Sequence, residues 1–227
     1  MVMKRLTKAR LAITLSKLPG FVGAKEEWEQ YLTDSEIAAE VLWQAAMLGD
    51  VEGKAIVDLG CGGGILGLGC LLLGAANLTF VDIDLSALEQ AKISFAKMKS
   101  EGLFVSDGID ELTGEIGDHT LFIGGDVAAY KGKADIIVMN PPFGTRQRHA
   151  DREFLEKAIQ IAPVVYSFHK SETLPFLREF TARNGFKITH EWRFQFPLKA
   201  AMEHHRRRIH RIEVCCIRLV KQKSEGI

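Results

Sequence analysis

Residues 140–143 read Asn-Pro-Pro-Phe. Two prolines cannot continue a central strand, and they fix φ, so the carbonyls around them point in set directions. The Asn140 side-chain oxygen and the Pro141 carbonyl can accept the two hydrogens of a planar amino group, with Pro142 fixing the turn and Phe143 stacking on a flat base. Such a nitrogen is a poor nucleophile because its lone pair is delocalised. Two acceptors would orient it and favour tetrahedral geometry, and the proton can leave after attack. Catalysis of this kind rests on positioning and electrostatics, and a base inside a helix must first be flipped out to reach the pocket.

A second constellation precedes it: Asp58-Leu-Gly60-Cys-Gly62-Gly63-Gly64. Glycines here let the backbone turn sharply and approach a ligand closely. From Gly60 the spacing is that of S-adenosylmethionine sites. Gly62, Gly64 and Gly67, with Asp82 20 residues after Gly62, also satisfy the dinucleotide fingerprint, so the loop alone fits both. Asp58 favours the methyl donor, whose ammonium it would attract; a pyrophosphate would be repelled there. Asp82 is placed to accept from both ribose hydroxyls of an adenosine. Asp84, on the same face, suits a helix cap. Asp126 is a candidate for the adenine amino group. A nicotinamide dehydrogenase has no use for Asn140–Phe143, which moves the reading to the methyl donor.

These residues need a scaffold that brings them together. Short apolar runs at 55–59, 78–83, 120–123, 135–139, 164–168, 187–194 and 212–219 alternate with helical patterns near 65–73, 85–100, 151–160 and 171–183. That alternation predicts an α/β fold: a doubly wound, mostly parallel seven-stranded sheet with one antiparallel edge pair formed by the last two strands. In such sheets ligands sit at the carboxyl ends of the strands, where the glycine loop and the Asn-Pro-Pro-Phe turn fall. Helices are also expected over 3–17, with Leu6, Leu11, Ile13, Leu15 and Leu18 at helical spacing, and from a capping box with Thr33 as N-cap and Glu36 at its third position. Segment 101–118 reads as an inserted loop. The whole, 1–227, reads as one domain, with 1–50 a helical extension.

The 29 basic and 29 acidic residues balance, which at first argues against a nucleic-acid partner. The distribution argues otherwise. Residues 1–25 carry six basic side chains and no acid; residues 199–223 carry eight against two. The body between is acidic. Arg206, Arg207 and Arg208 are candidates for phosphate contacts, as are Arg146, Arg148 and Arg152 just after the catalytic turn; His169 and Lys170, after the fifth strand, are candidates for the substrate backbone. His204, His205 and His210 lack partner cysteines or acids at ligand spacing, so no metal is expected. Cys61, Cys70, Cys215 and Cys216 form no C-x-x-C pair, and Cys215 and Cys216, adjacent on a strand, face opposite sides of the sheet in the core. A reduced, cytoplasmic setting without a membrane segment fits.

The motifs together resemble the class I S-adenosylmethionine-dependent methyltransferases, Rossmann-like enzymes with an N-P-P-F motif. More narrowly, the chain is similar to the archaeal and eukaryotic group that makes N6-methyladenosine in small-subunit ribosomal RNA. The likeness spans most of the chain, through Glu29–Thr33, Asp58–Gly62, Asp82–Asp84, Gly125–Val127, Met139–Thr145, Tyr166–Lys170 and His204–Arg208. It implies that Gln30 and Thr33, within the 1–50 extension, close over the cofactor. It puts Gly60 and Gly63 at the methionine end, Asp82 on the ribose, Asp126 and Val127 at the adenine, and Asn140 through Phe143 on the target base. RNA is the implied partner, and a small zinc-binding activator subunit a further one. Position 32 is Leu where the group commonly has Pro. The alternatives are DNA adenine or protein glutamine methylation, or a non-catalytic cofactor-binding RNA module.

Overall fold

The computed structural model describes residues 6–19, 33–104, 119–143, 150–198 and 210–222. Gln30, Arg146, Arg148, Arg206, Arg207 and Arg208 lie outside those residues, as does 105–118, most of the expected insertion.

In chain order the elements are α1 (Lys8–Ser16), α2 (Ser35–Met47), β1 (Ala55–Leu59), α3 (Ile65–Leu72), β2 (Asn77–Asp82), α4 (Leu85–Ser100), β3 (Thr120–Gly124), β4 (Ile136–Met139), α5 (Ala150–Ile161), β5 (Val164–Lys170), α6 (Leu174–Arg183), β6 (Phe186–Leu198) and β7 (His210–Lys221). The strands form one seven-stranded sheet, ordered β3-β2-β1-β4-β5-β7-β6. Pairings among β1 to β5 are parallel; β7 runs antiparallel to both β5 and β6. The predicted sheet, with its antiparallel edge pair, is the one observed.

The four-residue β4 is buried at every position (Ile136–Met139) and β1 at all but its first, as expected for strands covered on both faces. On one face Leu11 and Leu15 of α1, Leu42 of α2, Leu68 of α3 and Met98 of α4 pack against Ile56, Phe80, Val138 and Tyr166. On the other, Leu155 and Ala158 of α5 and Leu177 of α6 cover Val57, Ile137 and Val165. Cys216 belongs to the first cluster and Cys215 to the second, each fully buried, as their alternation predicts.

Three local expectations are corrected. Ile13 lies on the outer side of α1, 55% exposed; the buried positions are Leu11, Ala12 and Leu15. The N-cap of α2 is Asp34, whose Oδ1 accepts from the backbone N–H of Glu36 at 2.9 Å and of Ile37 at 3.2 Å; Thr33 stands one residue too early and its hydroxyl is used elsewhere. β6 continues four residues past Phe194, through Pro197, which an edge strand tolerates because it has only one neighbour to bond. No helix of the described residues is long and apolar enough to cross a membrane.

Candidate active site at the carboxyl ends of the strands

The order β3-β2-β1-β4 reverses direction between β1 and β4, and a crevice opens at such a switch point. Leu59 of β1 is in register with Met139 of β4. The glycine loop that begins at Gly60 and the turn that begins at Asn140 therefore leave neighbouring strands at the same level. Asp82 of β2 is in register with Gly124 of β3, which leads directly to Gly125 and Asp126.

The loop is tied to β2 at three points. Gly60 N–H and Cys61 N–H both donate to the Val81 carbonyl, at 2.8 and 3.1 Å. Gly62 N–H donates to Asp82 Oδ2 at 2.7 Å. Asp82 Oδ1 accepts from Asp84 N–H at 2.8 Å. Both carboxylate oxygens of Asp82 thus hold backbone, and a carboxylate, with about four acceptor sites, keeps capacity for a ligand hydroxyl. Burial raises the Asp82 carboxyl above its usual range, against those hydrogen bonds. Asp84, the other candidate, is the N-cap of α4, accepting from Ser86 N–H and Ser86 hydroxyl at 3.0 and 2.7 Å. Asp126 caps a short 3-10 turn, Val127–Ala129, accepting from Ala128 N–H at 2.8 Å, with Val127 buried beside it.

Two glycines differ in what they provide. At Gly62 φ is +51° and an added Cβ would meet nothing within 4 Å, so the backbone is bare on an open side. At Gly67, on α3, a Cβ would stand 2.4 Å from the Phe80 ring and 3.1 Å from Asp58 Oδ2. Its absence lets α3 settle onto β2.

Asp58 is placed differently from expectation. Its side chain is 1% exposed, and Oδ2 accepts from Gly67 N–H at 2.8 Å. The N-cap of α3 is Gly64, which offers no side chain, so Asp58 satisfies an amide of the first helical turn from below. It bears on the loop from beneath, through Gly67 and its charge, and does not face outward. Burial is the main reason its carboxyl is pushed up to about 7; the neighbouring Asp82 charge adds to it.

Asn140 is the most informative residue. Its Nδ2 donates to Thr33 Oγ1 at 3.0 Å. Its Oδ1 is buried and accepts no hydrogen bond among the described residues. Pro141 is buried after it, and the Phe143 ring meets Phe196 edge-on, centroids 6.3 Å apart at 90°. Phe196 is fully buried. It was not singled out from the sequence, although Trp192, Phe194 and Phe196 alternate at period two, the signal of one buried strand face.

His169 is corrected. It lies within β5, 2% exposed, with Nε2 2.6 Å from Ser167 Oγ on the same face of the strand. Burial alone lowers its pKa to about 3. A neutral, internally bonded imidazole serves the core rather than a phosphate. Lys170 ends β5 and lies 3.8 Å from Glu172. Arg152 pairs along α5 with Glu156 at 2.8 Å.

A family model described as the methyltransferase small domain matches residues 34–164. The chain belongs to that methyltransferase family. An uncharacterized protein of Methanocaldococcus jannaschii is 32% identical over 98% of both chains. The rRNA N(6)-adenosine-methyltransferase METTL5 of Danio rerio is 31% identical over 90% of this chain and 94% of its own. Among solved structures, a Pyrococcus horikoshii protein described as a candidate RNA methyltransferase superposes with a TM-score of 0.81 at 37% identity, covering 95% of this chain and 98% of that one. The matched residues 34–164 run from Asp34, the N-cap of α2, to Val164 at the start of β5, and include the carboxyl ends of β1, β2, β3 and β4.

Proposed function

We propose that the protein is an S-adenosyl-L-methionine-dependent methyltransferase that modifies the N6 amino group of adenine in RNA, with ribosomal RNA as the substrate class. The observation that carries this reading is Asn140: a side-chain oxygen at the end of β4, beside the glycine loop of β1, that is buried and unpaired among the described residues. The METTL5 relative, named as an rRNA N(6)-adenosine-methyltransferase, supports the substrate.

The strand ends fit an adenosylated methyl donor. Gly62 leaves the loop bare on its open side, and Asp82 stands anchored with spare acceptor capacity. Gly60 to Gly63, Asp82, Asp126 and Val127 would hold the donor, with Asp58 keeping the loop in shape; Gln30 is a further contact by resemblance. When bound, the donor supplies an electrophilic methyl carried on a sulfonium. The chain's own part is orientation. Asn140 Oδ1 and the Pro141 carbonyl accept the two amino hydrogens of the target, which draws its lone pair out of conjugation and aims it. Pro142 holds the turn, and Phe143, braced by Phe196, stacks on the base. The basic side chains Arg146, Arg148, Arg206, Arg207 and Arg208, with Lys170, would track the phosphates. A cytoplasmic location, a single domain over 1–227 and a small zinc-binding activator subunit belong to this reading.

Incubation with labelled donor and ribosomal RNA, DNA or protein, followed by mass spectrometry of the labelled product, tests it. N6-methyladenosine in RNA is expected. Label in deoxyadenosine or glutamine, or none at all, overturns the RNA assignment. Asn140→Ala should remove turnover by a factor of 100 or more while calorimetry shows donor binding within about threefold of wild type. Retained turnover would take Asn140 out of the mechanism.

A further inference from the structure

An asparagine amide has a donor end and an acceptor end, and its neighbours decide which end faces where. At Asn140 the donor end is spent on Thr33 Oγ1, 3.0 Å away. The acceptor end is buried and unpaired among the described residues. Burying an unpaired acceptor is unfavourable, so an exception calls for an explanation. Thr33 is itself buried, 6% exposed, and its hydroxyl has no helix-capping duty, because Asp34 caps α2. The hydroxyl therefore spans from the residue before the N-cap of α2 to the turn after β4.

We propose that Thr33 is a positioning residue for the transfer: its hydroxyl holds the Asn140 amide with Oδ1 turned to the site. The proposal rests on the methyl-transfer reading above and sharpens its specificity. With Oδ1 presented, the site accepts a substrate that donates a hydrogen there, an exocyclic amino group, and rejects a carbonyl in the same place. Resemblance alone assigned Thr33 to the cofactor; the hydrogen bond assigns it to the amide.

Thr33→Val keeps the branched shape and removes the hydroxyl; Thr33→Ser keeps the hydroxyl. The expected result for Thr33→Val is a fall in kcat of about tenfold, the scale of one lost hydrogen bond, with donor Kd by calorimetry close to wild type. Thr33→Ser should recover most of the lost turnover. A readout without turnover accompanies these: the side-chain amide signals of Asn140 in a ¹⁵N–¹H spectrum, assigned by their loss in Asn140→Asp, should shift in Thr33→Val and return in Thr33→Ser. If Thr33→Val turns over like wild type, or leaves the Asn140 amide signals in place, the inference is wrong while the methyltransferase reading stands. If Thr33→Val lowers donor affinity and kcat together and Thr33→Ser does not recover them, Thr33 is a cofactor contact and the inference is again wrong. Absence of methyl transfer by wild type overturns both.

Discussion

At the scale of single residues, this site shows carboxylates serving the backbone before any ligand. Asp82 holds Gly62 and Asp84, Asp84 caps α4, Asp126 caps a 3-10 turn, and Asp58 caps α3 from below. Substitutions should therefore have two readouts. Asp82→Ala removes two acceptors of backbone N–H groups and should lower stability by roughly 1–3 kcal/mol, alongside weaker donor binding in calorimetry; full stability would mean the loop does not depend on that carboxylate. Asp58→Asn keeps an acceptor for Gly67 N–H and loses a buried charge. The native carboxyl is raised from 3.8 to about 7, so its charged form is penalised above pH 7 and the penalty fades as the pH falls toward 3.8. Asp58→Asn should thus be more stable than wild type at pH 8, by on the order of 4 kcal/mol at about 1.4 kcal/mol per pKa unit, with the gain shrinking toward pH 5 in denaturant unfolding. An equal gain at both pH values would refute the assignment.

At the scale of elements, the cap of α2 separates what the sequence discloses from what it conceals. Thr33-Asp34-Ser35-Glu36 permits several caps, since threonine, aspartate and serine all serve. The choice fell to Asp34 because Thr33 Oγ1 is taken by Asn140, 107 residues away, and no local pattern carries that distance. Asp34→Ala should cost about 1 kcal/mol of stability, measured by thermal unfolding; an unchanged melting temperature would mean that Asp34 does not cap α2. The strands were legible because β1, β2, β4 and β5 are apolar runs bounded by turn formers, and the turn after β4 because two prolines mark it. The depth of His169 was not: a histidine near the end of a strand reads as a loop residue until its partner Ser167 and the covering helices are known. The bracing of Phe143 by Phe196 was hidden for a similar reason, since Pro197 ends a strand pattern on paper and an edge strand passes through it.

At the scale of the whole molecule, two buried titrating groups oppose each other. Asp58 binds a proton in the folded state up to about pH 7. His169 refuses one down to about pH 3, while the unfolded chain takes it up near 6.5. Stability tied to His169 is lost as the pH falls from 6.5 toward 3; the penalty tied to Asp58 is relieved as the pH falls from 7 toward 3.8. Over the shared window the slopes have opposite sign. Wild type should show a shallow stability profile between pH 4 and 6.5, and Asp58→Asn a steeper loss in acid, approaching about 1.4 kcal/mol per pH unit. A profile unchanged by the substitution would mean that Asp58 titrates alike in the folded and unfolded chain.

The position of β7 between β5 and β6 bears on how the chain is made. The strand latest in sequence fills an interior place in the sheet, and Arg218 on it closes a buried network with Asp50 and Tyr166, 2.7 Å from Asp50 Oδ2 across 168 residues. As synthesis proceeds from the amino terminus, the glycine loop, the Asn-Pro-Pro-Phe turn and Thr33 all emerge early. β5 nevertheless keeps one raw edge, and β6 has no partner, until His210–Lys221 has left the ribosome. A nascent chain paused before that point carries the glycine loop and the Asn-Pro-Pro-Phe turn on a sheet still open to the wrong neighbour. Chaperone engagement is therefore expected to concentrate on the interval between β6 and β7.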